Sequence, residues 1–321
     1  MRNLNESDLT EAVLGKLGGT QDPRLAQILG SLVRHLHAFV RETELTEAEW
    51  LAGIAFLTAT GQKCDGKRQE YILLSDTLGI SMLVDAIANR RPTGATESTV
   101  LGPFYVPGAA ELPMWADIFP VSSPLLSPVP APGSSPGNLP ATPTPAYVEG
   151  RVLDLDGRPI HGATLDVWQT DGDGHYDVQR GGEATIGSSS TPTYGRGRFT
   201  THADGHYGFR TTRPVSYSIP TDGPVGQLLR ATGRSPDRPA HVHMIVTAPG
   251  FAPVTTHLFV AGDPHLDSDA VFAVKQSLIV DFATEAAGPA PDGRDCPVPF
   301  FRARYDFRLA RASPPTPATS A

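Results

Sequence analysis

Two hydrophobic periods divide this chain: apolar positions recur every three or four residues between 22 and 88, and every second residue beyond Tyr147. Asp22-Pro23 reads as a helix start, a capping carboxylate followed by a proline whose missing N–H costs nothing at the first helical position. Behind it Leu25, Ile28, Leu29, Leu32, Val33, Leu36, Phe39 and Val40 make one apolar stripe. Thr46-Glu47-Ala48-Glu49 is a capping box that opens a second helix carrying Trp50, Leu51, Ile54 and Leu57. A third helix is expected over 69–87, with Tyr71, Leu73, Leu74, Leu78, Leu83 and Val84. So few helices enclose only a small core, so their stripes are expected to pack on another subunit or on the following domain.

From Tyr147 onward Val148, Gly150 and Val152 alternate with polar residues, and Ala163, Leu165 and Val167 alternate with Thr164, Asp166 and Trp168. Two short runs flank Asp204-Gly205, a strong hairpin signal. Further strands are expected at His241–Thr247, at Val254–Val260 and over 302–309. Short strands between Gly, Pro and Asp turns predict an antiparallel β-sandwich. The expected fold class is therefore α+β, mainly β. Its parts are a helical unit over 1–100, a connector over 101–146, a sandwich over 147–312 and a disordered tail over 313–321. Nine of the 27 residues in 120–146 are proline, and 178–197 is rich in Gly, Ser and Thr. Both read as extended surface loops.

A net charge of -8 argues against nucleic acid or an anionic membrane surface as partner. Two cysteines, Cys64 and Cys296, are too few for a disulfide framework or a thiolate metal site. The first residues lack the apolar core of a signal peptide, and no apolar run is long enough for a membrane span, so a cytoplasmic protein is expected.

The chemistry concentrates in Arg238-Pro239-Ala240-His241-Val242-His243. Residues i and i+2 of a strand share a face, so His241 and His243 can aim two imidazoles at one point. Tyr176 in Gly174-His175-Tyr176-Asp177, and Tyr217 between Pro214 and Pro220, complete a candidate set of four ligands. Phenolate is a hard anionic donor and, paired with imidazole, suits ferric iron. Bland readings stand beside this one. A His-x-His pair arises by chance on surfaces, and a single tyrosine is more often a core or rim residue. Asp171-Gly172-Asp173-Gly174 imitates a calcium loop, but its twelfth position is Gly182 rather than glutamate. Leu73 and Asp76 lie one turn apart on a helix, where Asp76 is either a surface carboxylate or a polar group lining a pocket. Gly102-Pro103-Phe104 is a rigid turn or a pocket wall.

Taken in order, Leu-Gly-Pro-Phe-Tyr at 101–105, Asp-Val-Trp-Gln at 166–169, Gly-His-Tyr-Asp at 174–177, Tyr217, Asp-Gly-Pro-Val-Gly at 222–226 and Arg-Pro-Ala-His-Val-His at 238–243 resemble the intradiol ring-cleavage dioxygenases. Asp177-Val178-Gln179, the stretch 266–272, and His257 where catechol-cleaving relatives usually carry glutamine are most similar to the hydroxyquinol 1,2-dioxygenases. The resemblance implies an N-terminal helical dimerisation unit on a β-sandwich catalytic domain, a homodimer with a bound lipid, and Fe(III) held by Tyr176, Tyr217, His241 and His243. It implies catalytic roles for Arg238, Tyr217 and His257. It also implies a pocket for a small aromatic diol, lined by Leu73, Asp76, Leu101, Gly102, Pro103, Phe104, Ile219, Pro220 and Arg238, where dioxygen cleaves the ring. Tyr194 is expected near the pocket mouth. The rival readings are a catechol or chlorocatechol 1,2-dioxygenase, a non-enzymatic β-sandwich binding module, and a zinc hydrolase. The last would usually bring a third histidine or a carboxylate.

Overall fold

The structure, a computed structural model, describes residues 3–66, 68–119, 144–179 and 194–312. Most of the expected proline-rich loop, most of the second loop and the tail lie outside these residues; the end of the first expected loop, Pro145 and Ala146, is strand. Two compact units are present, Met1–Ala59 and Thr60–Ala321.

The first unit holds α1 (Leu9–Leu17), α2 (Pro23–Glu42) and most of α3 (Glu47–Gln62). Both start signals work as their chemistry requires. Asp22 Oδ1 accepts the N–H groups of Arg24 and Leu25 at 2.8 and 3.2 Å. Thr46 and Glu49 cap each other reciprocally, at 2.9 Å from Thr46 N and 3.3 Å from Glu49 N. The α2 stripe, however, is not buried within the chain: Leu25, Ile28, Leu32, Leu36 and Phe39 are 44% to 52% exposed.

In the second unit the single helix expected over 69–87 is two, α4 (Glu70–Thr77) and α5 (Ile80–Ala88), bent by 77°. The periodicity ran on, but Gly79 has φ +73°. Its N–H bonds back to Asp76 O at 3.0 Å, ending the helix in the left-handed conformation that glycine adopts without cost. No single described helix is long and apolar enough to cross a membrane.

The strands follow as β1 (Pro145–Asp154), β2 (Thr164–Trp168), β3 (Arg196–Thr200), β4 (His206–Thr212) and β5 (Tyr217–Ser218). After α6 (Pro224–Ala231) come β6 (Asp237–Arg238), β7 (His241–Thr247), β8 (Val254–Val260), β9 (Ile279–Val280) and β10 (Phe282–Glu285). The chain closes with β11 (Gly288–Pro289), β12 (Asp295–Cys296), β13 (Phe300–Arg304) and β14 (Phe307–Leu309). One five-stranded sheet runs β3-β2-β7-β8-β9; the other runs β10-β13-β1-β14, with β4 also on β1. Their inner faces share one core that includes Val148, Val152, Leu165, Val167, Phe199, Phe209, Val242, Met244, Leu258 and Phe307.

The sheets are mixed rather than wholly antiparallel, because β13 and β14 return beside β1 in its own direction and β9 runs parallel to β8. The run expected over 302–309 is likewise split. β13 pairs with the first half of β1 and β14 with the second in one unchanged register, and Tyr305 and Asp306 lie between the two ladders opposite Gly150 and Arg151. A Cβ on Gly150 would fall 1.8 Å from Tyr305 O, so only glycine admits this crossing.

Candidate metal centre and cavity

Strand alternation places the site. Val242, Met244 and Val246 of β7 enter the core, which sends His241 and His243 to the outer face of the sheet. Across that face His243 pairs with Trp168 on β2 and with His257 on β8. Trp168 stacks on the His243 ring at 4.6 Å and 13°. The turn after β2 brings in Tyr176. Asp171 Oδ1 accepts the N–H groups of Asp173 and His175 at 3.0 and 3.1 Å, and Gly174 turns the chain at φ +80°. A Cβ on Gly174 would meet Tyr217 Cβ at 2.9 Å, so this glycine lets the two tyrosine segments touch. Tyr217, between Pro214 and Pro220, lies in the two-residue strand β5, directly opposite Arg238 on β6.

The four candidate donors converge. Tyr176 Oη lies 2.8 Å from His243 Nε2, 3.2 Å from Tyr217 Oη and 3.5 Å from His241 Nε2, and the two imidazole Nε2 atoms are 3.1 Å apart. Donors bound to one ion at about 2.0–2.2 Å stand roughly 2.9–3.5 Å from their neighbours. The observed separations fit a single small cation, and the oxygen and nitrogen donors suit a hard, highly charged one. His257 widens the choice, since the three imidazoles each offer a nitrogen within 4.8 Å of the others. The tyrosine-containing set is tighter, and the geometry favours it.

The surroundings orient these groups. Pro239 O accepts from His241 Nδ1 at 2.6 Å, which places the proton there and leaves Nε2 as a free lone pair. His257 Nδ1 hydrogen-bonds Thr99 Oγ1. His257 Nε2 and His243 Nδ1 are buried with no hydrogen-bond partner among the described residues. Arg238 Nε donates to Asp269 at 3.0 Å, and its Nη1 lies 3.5 Å from Tyr217 Oη and 3.4 Å from His241 Nε2. Burial works against the charge of Arg238, and Asp269 more than compensates. Arg196 clamps the other side. It donates to both oxygens of Asp177 and to Phe104 O at 2.8 Å, and the Phe104 ring stacks on Tyr176 at 4.7 Å.

A cavity of about 280 Å³ opens onto Tyr217 and Arg238. Of the expected lining, Leu73, Asp76, Gly102, Pro103, Phe104, Ile219, Pro220 and Arg238 face it. Leu101 does not. The chain turns at Gly102 (φ +77°), whose missing Cβ brings the loop against His243, and Leu101 is left 41% exposed. Tyr194 does not reach this cavity either; it is buried in the sandwich core, edge-on to Phe119. Glu70, Leu73 and Asp76 share one face of α4, so Glu70 was the missed lining residue with a legible signal. Arg68 and Val100 also line the cavity with nothing in their local sequence to mark them, whereas Gln179 and Val271 line it from the two stretches that carried the branch resemblance.

Burial shifts the site's titrations. It pushes the Tyr176 hydroxyl well above the usual phenol range, with Tyr217 adding to the effect. A nearby metal cation would reverse that by stabilising the phenolate. Burial raises the Asp76 carboxyl, against a hydrogen bond from Ser81 and the charge of Arg238. It lowers His241 to about 3, with Arg238 adding to the shift, and carries His243 and His257 well below the imidazole range. The unfolded chain therefore binds more protons than the folded one below about pH 6.5. Stability of metal-free protein is expected to fall with acidification from about pH 6.5 towards 3, by up to about 1.4 kcal/mol per pH unit for each imidazole. Thermal melts across that window test this, and His257→Gln should flatten the slope; a profile that is level in the parent protein contradicts the assignment.

Comparison with known proteins gives a consistent result. Residues 137–311 match the family model described as "Dioxygenase", and residues 22–96 the one described as "Catechol dioxygenase N terminus". The chain is 49% identical over 288 residues to a 6-chlorohydroxyquinol 1,2-dioxygenase of Cupriavidus pinatubonensis, covering 90% of this chain and 95% of that one. It is 46% identical over 308 residues to a hydroxyquinol 1,2-dioxygenase of a Rhizobium species, covering 95% and 96%. The solved structure of a hydroxyquinol 1,2-dioxygenase from Pseudomonas putida DLL-E4 matches with a TM-score of 0.82 at 46% identity, covering 96% of this chain and 99% of that chain.

Proposed function

From the fact that the chain belongs to the intradiol ring-cleavage dioxygenase family, we propose that it cleaves hydroxyquinol (1,2,4-trihydroxybenzene) with dioxygen to 3-hydroxy-cis,cis-muconate, which tautomerises to maleylacetate. The observation that carries the reading is the meeting of two tyrosine oxygens and two imidazole nitrogens, with Tyr176 Oη 2.8 to 3.5 Å from the other three, beside a cavity of small-aromatic size. The family implies non-haem iron, and we take its state to be ferric, held by Tyr176, Tyr217, His241 and His243. When bound, Fe(III) supplies the Lewis acidity that acidifies a chelated diol and makes its ring reactive towards dioxygen without an external reductant.

The chain's own groups do the rest. Tyr217, the partly exposed tyrosine, faces the cavity and is the group placed to take a proton from the incoming diol. Arg238, locked by Asp269, holds a fixed positive charge beside Tyr217 and stabilises negative charge that develops on the ring. His257 keeps one unpaired nitrogen beside the donor set, fixed through Thr99, and orients what reacts there. Leu73, Phe104, Ile219 and Pro220 give the ring apolar walls, and Asp76 is the polar group available to a third hydroxyl.

Oxygen uptake on hydroxyquinol, catechol and 4-chlorocatechol, with a visible spectrum, tests the reading. Phenolate-to-iron charge transfer should colour the enzyme wine-red; a colourless protein inactive on all three contradicts it, and preference for a catechol moves the assignment to the sister activity. Asp76→Ala should lower kcat/KM for hydroxyquinol about 10- to 100-fold more than for catechol. Equal losses would discard Asp76 as the third hydroxyl's partner.

A homodimer through the N-terminal helices, with a lipid between them, is part of the same proposal. In its support, the half-exposed stripe of α2 and the exposed Trp50, Leu51 and Ile54 of α3 form more apolar surface than an isolated chain usually shows to water. Sedimentation and native mass spectrometry would report both. We place the enzyme in the cytoplasm, where the free thiols of Cys64 and Cys296 would stay reduced.

A further inference from the structure

We propose that Arg68 forms an anion subsite at the cavity, one that receives a carboxylate of the ring-opened product. The inference rests on the ring-cleaving reading above and extends it to the other end of the reaction. In that reaction the bond between the two hydroxyl-bearing carbons breaks, and so does the O–O bond. Each of those carbons gains one oxygen, and the two hydroxyl protons end on carboxyl groups that release them to water. An uncharged ring enters and a dicarboxylate leaves. The cavity therefore has to hold two new negative charges that were absent at binding.

Among the described lining residues, the cationic ones are Arg238 and Arg68. Arg238 is held by Asp269 beside the donor set, and its Nη2, without a hydrogen-bond partner among the described residues, can take one carboxylate; the second needs another cation. Arg68 is held in two different ways. On one side Nε donates to Glu70 Oε2 at 2.8 Å, and Nη2 lies 2.8 Å from the same oxygen. Glu70 is fully buried, and its other oxygen accepts the N–H of Val225 at 3.2 Å in the first turn of α6. The backbone presses on this pair, since a Cβ on Gly223 would fall 2.4 Å from Glu70 Oε1 and 2.9 Å from Arg68 Nη2. That side is anchored.

The other side is exchangeable. Arg68 Nη1 donates to Asp222, whose side chain is 64% exposed and whose second oxygen is bound by Lys63 at 2.9 Å. An exposed ion pair in water contributes little, and Asp222 keeps Lys63 if Arg68 lets go. Asp65 also lines the cavity, and its Oδ1 accepts the backbone N–H of Arg68 at 2.7 Å, which fixes where the Arg68 side chain starts. The guanidinium thus holds one exchangeable corner, Nη1, in a fixed orientation, which a carboxylate can take when Asp222 lets go. Asp222 is the placeholder for the product.

The test uses iron-loaded enzyme and two probes, cis,cis-muconate as the dicarboxylate and hydroxyquinol under anaerobic conditions as the uncharged ligand, both read by calorimetry. Arg68→Met should weaken muconate about tenfold more than it weakens hydroxyquinol, and Arg68→Lys should recover part of that loss. Because Arg68→Met strips Glu70 of its cation, Asp222→Asn is the second arm: it keeps the anchored side, removes the competing negative charge from Nη1, and should tighten muconate. Equal weakening of both probes by Arg68→Met, or muconate affinity unchanged in Asp222→Asn, overturns the proposal. Absence of oxygen uptake on every diol would instead overturn the ring-cleaving reading, and the muconate arms would still report on Arg68.

Discussion

Changing Tyr176 to phenylalanine should cost the protein its bound iron, most of its visible colour and about 10³-fold or more of its oxygen uptake. The substitution keeps the ring and removes one atom. That atom is the hub of the donor set, 2.8 Å from His243 Nε2, 3.2 Å from Tyr217 Oη and 3.5 Å from His241 Nε2. Without it three donors remain, only one of them a phenolic oxygen, too little negative charge to hold a highly charged ion well. The fold should survive, since the stack on Phe104 and the backbone bond from Tyr176 N to Gln179 at 2.8 Å do not involve the hydroxyl. Metal analysis, the visible spectrum and a melt of the metal-free variant separate loss of iron from loss of structure. Full iron and colour, with turnover within tenfold of the parent, would remove Tyr176 from the ligand set.

The second large effect concerns stability. Asp177→Ala is expected to destabilise the protein by about 3–5 kcal/mol, because it leaves a buried guanidinium without its counter-charge. The Asp177 and Arg196 side chains are each 4% exposed, and Arg196 Nη1 already lacks a partner among the described residues. Phe104 O at 2.8 Å would be the main acceptor left to Arg196. Removing both charges with Asp177→Ala and Arg196→Met should recover much of the loss, since a buried pair replaced by apolar groups is often tolerated. Urea unfolding of the two variants decides the matter, and a single-variant loss below about 1 kcal/mol would show that solvent reaches the clamp. The clamp ties the Tyr176 turn to the Phe104 loop, so an effect on metal affinity should accompany the effect on stability.

Much of this was legible before any coordinates. The alternation of β7 placed His241 and His243 on one face, and the caps at Asp22 and Thr46 formed as written. Local chemistry sufficed there because the interacting atoms are a few residues apart. The failures share the opposite property. Gly79 ended a helix whose apolar period continued, Gly150 admitted the close approach of Tyr305 O where the last strand splits, and Gly102 turned Leu101 away from the cavity. In each case the missing Cβ mattered because of the local backbone conformation or a neighbour distant in sequence.

By itself the amino-acid order determined the two structural periods, the kind of donors available and the family to which they belong. Those follow from side-chain chemistry and from spacing along a regular strand or helix. Only the tertiary structure decided which buried charges meet: Arg238 with Asp269, Arg196 with Asp177, and Arg68 between buried Glu70 and exposed Asp222. A lone charge carries no mark of its partner, because that pairing is set by the cost of burying it unpaired once distant segments have packed together.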